Sequence, residues 1–359
     1  MTDRKISNFE LISLNYFLTR AFLIGLTFNT LINILKQDSW IVPLISLIVE
    51  IIMIFIIDSI MKYKTSLNIS EKIINLFNNT IAKIILFILL ILQFLSTVLN
   101  YLNLNNFIQS QFLNKTPIIV IAIIFMIATL YIINKEINVI SRTSNILFYI
   151  GFFLFILTFI GLLPTFKFNN LKPFFTSSIS DYTKALNYFY SFHILPVFLL
   201  TIIPKDKIKN PKIKKSLIIS YVISSITIFI VLIQTIATLG YELASLYEYP
   251  EFFVLKHVIL TKLSTRIESV LIVQLLFDIF IYNVFSVYFI GEITKTIFSV
   301  KNKKIINFII CSLIVILTIF VSKYNIYINN LSLVILPIII NIFITSIIFI
   351  IFVKIKISK

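Results

Sequence analysis

Four side chains able to hold charge or move a proton lie inside long apolar runs of this 359-residue chain: Arg20, Glu50, His193 and Asp278. The guanidinium is the most demanding of them. At the centre of a bilayer it costs about 2.5–3.5 kcal/mol on insertion scales. Its own run, Phe9–Leu35, contains no second cation and no central acid, so acceptors must come from other segments. Glu50 and Asp278 are the mid-run acids on offer. Arg20 and Asp278 together would either receive the carboxylate and ammonium groups of a zwitterionic ligand or form a permanent ion pair that fixes helix register. Glu50 has three open roles: partner of Arg20, proton-titrating carboxylate, or satisfied buried acid. His193 is either a proton relay or a hydrogen-bonded structural histidine.

The elements that must position these groups follow from composition. At 59% hydrophobic content the chain is too apolar for a soluble globule. Its repeated runs of 18 or more apolar residues are too long and continuous for barrel strands, so they read as transmembrane helices. Ten spans are expected: Phe9–Leu35, Trp40–Met61, Ile81–Asn103, Pro117–Asn134, Ser144–Pro164, Ala185–Ile203, Ser216–Gly240, Ile267–Ile290, Lys304–Val321 and Leu331–Val353. The whole chain, 1–359, is then one polytopic all-α membrane domain. Twenty of the 31 Lys and Arg residues fall in the segments on the side of the termini, and nine in the opposite loops, which places both termini in the cytoplasm. The net charge of +16 lies mainly in these loops, where it sets topology and meets anionic lipid. The apolar start lacks a small-residue cleavage site and reads as a retained first span. Cys311, the single cysteine, excludes an intramolecular disulfide and a cysteine-based metal site. No nucleotide loop, metal-ligand set or nucleophile–base pairing is present, so the chain reads as non-enzymatic, without cofactor or metal and without a nucleic-acid partner.

Loop lengths add a second level of order. The 2–3 and 7–8 connections are long (19 and 26 residues), the 3–4 and 8–9 connections are each 13, and the 4–5 and 9–10 connections are each 9. An odd-numbered repeat recurs upside down, so residues 9–164 and 185–353 are expected to form a five-plus-five inverted repeat, with a site at mid-membrane between the halves. In such folds the first span of each half is interrupted. Pro196, with His193 three residues before it, supplies the means in span 6. Span 1 has only Gly25 and no proline, which encodes a break weakly. Helical spacing collects Ser13, Tyr16, Arg20 and Thr27 on one face of span 1. It likewise collects Gln93, Ser96, Thr97, Asn100 and Asn103 in span 3, and Gln274, Asp278, Tyr282 and Ser286 in span 8. Three such stripes imply a shared polar interior. The candidate ligand contacts are Arg20, Gly25, Gln93, Thr97, Asn100, Tyr190, His193, Asp278 and Tyr282, with Glu50 and His193 as candidate titrating groups. The external 7–8 loop carries Tyr247, Tyr249, Phe252 and Phe253. It is expected to be an amphipathic helix over the outer mouth, a docking surface or an interfacial aromatic belt.

Several short pieces, in order, resemble the endospore germination permeases, the B-type subunits of nutrient germinant receptors within the amino acid–polyamine–organocation superfamily. Asp38-Ser39-Trp40-Ile41 is similar to the motif after the first span, and Leu113-Asn114-Lys115-Thr116-Pro117 to the entry to the fourth. Glu136 followed by Arg142 resembles the stretch before the fifth, with altered spacing. Leu171-Lys172-Pro173 resembles the loop before the sixth, and Tyr249-Pro250 with Arg266-Ile267-Glu268 the pieces before the eighth. The resemblance implies a ten-span, amino-acid-permease-type fold that binds a small, amino-acid-like germinant. It also implies assembly with A-type and C-type subunits in the inner membrane of a spore. Two positions depart from the family pattern. Arg20 intrudes into a first span that is usually glycine-rich, and the sixth span offers His193 and no acid. Both fall where the ligand would sit, which leaves two alternatives open: a proton-coupled amino-acid transporter, or a scaffold subunit whose site is plugged by Arg20.

Overall fold

The computed structural model describes residues 4–257, 272–300, 302–323 and 335–358. Within them the helices α1 (Asn8–Leu18), α2 (Phe28–Leu35), α3 (Val42–Lys62), α4 (Ile69–Leu76), α5 (Asn79–Gln111), α6 (Ile118–Ile133) and α7 (Ile137–Leu162) form the first half. The second half holds α8 (Ile179–Phe189), α9 (Ile213–Leu239), α10 (Tyr241–Leu246), α11 (Pro250–Leu255), α12 (Val273–Phe298), α13 (Lys303–Ser322) and α14 (Leu336–Ile357). Among the described residues, eight helical stretches are long and apolar enough to cross a membrane. One of these, 8–62, divides into two crossings at the 3₁₀ turn Lys36–Ile41, and with the shorter α6 the total is ten. The chain is therefore an all-helical, multi-span membrane protein. The expected start of span 8 at Ile267, the Arg266-Ile267-Glu268 piece and the start of span 10 at Leu331 lie outside the described residues.

Ile-rich runs have modest helix propensity in water. In hydrocarbon the helix is imposed because every backbone group must be satisfied within its own segment. Local signals set the ends. Ser7 and Glu10 form a reciprocal capping box ahead of α1, with Ser7 Oγ accepting from Glu10 N at 3.1 Å and Glu10 Oε2 accepting from Ser7 N at 2.7 Å. Asn68 and Glu71 repeat the device ahead of α4. Pro43 and Pro337 sit in first turns, where the missing N–H costs nothing. α5 runs well past the expected end at Asn103, to Gln111, because Asn103, Asn105 and Phe107 all face inward there.

Burial is inverted relative to a soluble protein. Ile48 and Ile52 of α3, Ile124 and Ile127 of α6 and Phe153 of α7 are exposed, whereas the interior holds the polar stripes. α12 lies at the centre, packed on α1, α5, α7 and α13, while α9 backs α1 and α3. Two ties join distant segments. Ile6 donates to Lys207 O and accepts from Lys209 N, both at 2.8 Å, so the lead-in to the first crossing pairs with the chain after the sixth. On the opposite face, the buried Asp38 carboxylate accepts from the backbone N–H groups of Phe175, Thr176 and Ser177 at 2.8, 2.6 and 3.0 Å. Among the described residues the interrupted crossings are the first and the sixth, as a five-plus-five plan requires. The sixth passes from α8 through a π turn, Tyr190–Ile194, into the 3₁₀ stretch Leu195–Ile202 around Pro196.

Candidate functional site

The break in the first crossing is wider than its sequence suggests. α1 stops at Leu18, and regular helix resumes only at Phe28. Between them Ile24 is extended (ψ 126°) and Gly25 takes a φ of +65°, a region that glycine enters without a Cβ penalty. Thr27 therefore does not continue the Ser13–Tyr16–Arg20 face; the backbone turns away before it.

Several of the backbone groups freed by the break meet side chains. Asn100 Nδ2 donates to Ala21 O at 2.9 Å, and Asn103 Nδ2 donates to Ile24 O at 2.5 Å, both from α5. His193 Nδ1 bonds Thr19 O, so that nitrogen must carry the hydrogen. Its Nε2 lies 2.8 Å from Thr27 Oγ1, whose single hydrogen also has Phe22 O within reach at 2.7 Å. His193 thus braces one interrupted crossing against the other with both ring nitrogens. Gly25 N–H donates at 3.0 Å to Glu251 Oε1, which reaches in from α11.

Arg20 lies at the start of the break, two residues past the end of α1. Its Nε contacts Asp278 Oδ2 at 3.2 Å and Oδ1 at 3.4 Å, and its Nη1 donates to Thr227 Oγ1 at 2.5 Å. The guanidinium also lies 4.9 Å from the centre of the Tyr16 ring. Both charged side chains are almost fully buried, so the pair expected between spans 1 and 8 is formed. Glu50 is not Arg20's partner. It faces α9, where Ser225 donates to its Oε2 at 3.2 Å, and Ser46 donates to its Oε1 at 3.2 Å from within α3.

The remaining candidates divide. Gln93 donates to Tyr282 Oη at 3.1 Å and Ser286 Oγ at 2.8 Å, joining the α5 and α12 stripes, and the Tyr282 ring meets Phe22 edge-on at 4.9 Å. Thr97 turns back on its own helix, donating to Gln93 O. Tyr190 points away from the break and pairs with Thr345 of α14 at 2.9 Å. A cavity of about 20 Å³ remains beside Phe22, Gln93, Phe192 and Tyr282, enough for a single water. Arg20 does not line it. On the side of the termini a cavity of about 540 Å³ opens among Arg4, Lys5, Glu136, Asp206, Glu292 and Lys295. The opposite mouth is closed: Tyr249 and Phe252 of the 7–8 loop stack edge-on with Phe107 at 4.9 and 5.7 Å. The described part of that loop, as far as His257, contains two short helices, α10 and α11, seated in the mouth. Thr227 and Glu251 escaped the sequence reading. Thr227 was discoverable as a hydroxyl inside span 7, whereas an acid in a long loop carries no signal of depth.

A family model described as "Spore germination protein" matches residues 6–327. No curated protein matches the chain significantly. Among solved structures, the fold is similar to that of a mutant manganese transporter from Eremococcus coleocola, with a TM-score of 0.61 at 13% identity over 95% of this chain and 77% of that one. It is similar also to Mhp1, a nucleobase-cation-symport-1 family transporter in a closed conformation with bromovinylhydantoin bound, with a TM-score of 0.61 at 13% identity over 89% and 72% of the two chains. At such identities the likeness is one of fold.

Proposed function

The chain belongs to the spore germination protein family, and from that premise we propose that it is the membrane subunit of a nutrient-germinant receptor, with the broken first crossing as its ligand element. One observation carries this reading: the backbone between Leu18 and Phe28 leaves the helix inside a ring of buried polar side chains from other crossings. Freed backbone groups of this kind bind small polar solutes in transporter folds. Here protein side chains occupy them, and the cavity alongside has room for one water at most, so the arrangement is an occluded one. A small germinant with amino-acid-like polarity would bind by exchanging for some of those side chains. Its binding would then shift the balance between two bundle arrangements, which requires unequal affinity for them. In this reading the termini face the cytoplasm of the spore, the membrane is its inner one, and A-type and C-type subunits receive the signal, as the family resemblance implies.

A second reading is favoured by Arg20. Its charge is neutralised by Asp278, and Thr227 takes one further donor, which leaves little for a ligand and suits a scaffold subunit with a closed site. Spores carrying Arg20→Ala, scored for germination over a nutrient panel, separate the two. A changed nutrient profile with normal assembly supports the receptor reading. An unchanged profile, or loss of partner subunits from the membrane, supports the scaffold.

A further inference from the structure

α11 brings a carboxyl group to a backbone donor of the break, the N–H of Gly25. Glu251 Oε1 accepts from Gly25 N–H at 3.0 Å, while Oε2 is buried with no hydrogen-bond partner among the described residues. Glu251 as a whole is 3% exposed. Such an arrangement is expensive, because a buried polar oxygen without a partner loses its hydration and gains nothing in return. The seat of α11 does not need it. Tyr249 and Phe252 are buried against Phe107, Phe112 stacks on Phe252 at 5.4 Å, and Asn29 Nδ2 donates to Tyr247 O at 2.6 Å. The Tyr249 ring lies directly over Gly25, and its hydroxyl is buried with no partner within hydrogen-bond geometry among the described residues. The carboxyl end therefore fits the break as a small acid would, with one oxygen on the backbone and the other buried without a partner among the described residues.

We infer that Glu251 is a tethered occupant of the site at Gly25, an autoinhibitory contact in which the chain's own carboxyl fills the place of a carboxyl-bearing small molecule. Such a solute reaches Gly25 N–H only when α11 withdraws, so occupancy and opening of the outer mouth are one event. The consequence for signalling rests on the receptor reading given above; the occupancy itself does not.

The test uses the full-length protein in lipid nanodiscs at pH 6, with hydrogen exchange followed in peptides covering residues 22–27. Glu251→Ala should speed exchange there by about tenfold, the loss of one buried hydrogen bond. Propionate, which supplies the excised carboxyl on a chain one carbon longer than the group removed, should restore protection in a saturable way, and propylammonium, equal in length to propionate but without an acceptor, should not. Glu251→Gln keeps an acceptor oxygen and the shape, so it should stay protected and ignore propionate; it also serves if the alanine variant fails to fold. Unchanged exchange in Glu251→Ala, or equal protection by propionate and propylammonium, overturns the proposal. Spores carrying Glu251→Ala form a separate arm and should respond at lower nutrient concentration. If exchange behaves as expected and germination does not change, the plug stands and the receptor reading falls.

Discussion

Removing one member of the Arg20–Asp278 pair should harm the protein far more than removing both. At 3.2 Å and an effective dielectric constant near 20, the attraction is about 5 kcal/mol. Desolvation of two ions that are each at least 96% buried opposes it by several kcal/mol apiece, so the net worth of the intact pair is small. Arg20→Met leaves a carboxylate in the bundle without its cation, and Asp278→Leu leaves a guanidinium with Thr227 and the Tyr16 ring but no counter-charge. Each single change should cost about 3–5 kcal/mol, whereas the double variant should fall within about 1 kcal/mol of the native protein. Thr227 is not orphaned by the double change, since its hydroxyl already donates to Ser224 O at 2.8 Å. Equilibrium unfolding in mixed micelles, followed by the fluorescence of Trp40, the sole tryptophan, measures all four corners of the cycle. Additive losses in the double variant would refute the account, because they would mean that the two charges are not each other's principal compensation.

Three further expectations follow from named contacts. Gly25→Ala should cost at least about 1–2 kcal/mol from the positive φ alone. The added Cβ would also fall against the Tyr249 ring and 2.7 Å from Asn103 Oδ1, so thermal unfolding should drop and α11 should become protease-sensitive; a neutral result would deny the close approach. Burial pushes the Glu251 carboxyl up to about 8, with Glu248 adding to the shift. The seated state therefore holds a proton that the freed loop releases. The contribution of this group to seating α11 is complete below its ordinary value near 4.5 and is lost as pH rises through 8. Exchange in α11, corrected for its intrinsic rate, should rise over that interval and flatten in Glu251→Gln. Asp38→Ala should cost about 3 kcal/mol, since it removes charge-assisted bonds to three successive backbone donors. Asp38→Asn should cost less, and equal losses in the two would argue against a hydrogen-bonding role.

The ten crossings were legible because an apolar run of this length has few alternatives, and positions outside hydrocarbon announce themselves as Lys, Asn and Pro. The ion pair was legible for a related reason: an arginine in mid-run demands an acid, and two were available. Choosing Asp278 over Glu50 required coordinates, because both lie at mid-run and the difference is which face of which helix meets α1. The extent of the first break was illegible. Its acceptors and donors are matched by Asn100, Asn103, His193 and Glu251, all distant in sequence, so the local residues around Gly25 carry little trace of it. Tyr190 shows the opposite failure. It shares a segment with His193, yet the π turn rotates it towards Thr345, and helical spacing cannot anticipate a turn of that kind.

The short pairing of Ile6 with Lys207 and Lys209 has a mechanical corollary. Asn8 doubles it, its side chain accepting from Lys212 N at 2.9 Å and donating to Asn210 O at 3.1 Å. A strap of this sort couples the base of α1 to the tail of the sixth crossing, so neither can swing without dragging the other. Any rocking of the bundle must then flex at the two places where regular helix is already absent, above Leu18 and around Pro196, which act as paired hinges on a common lever.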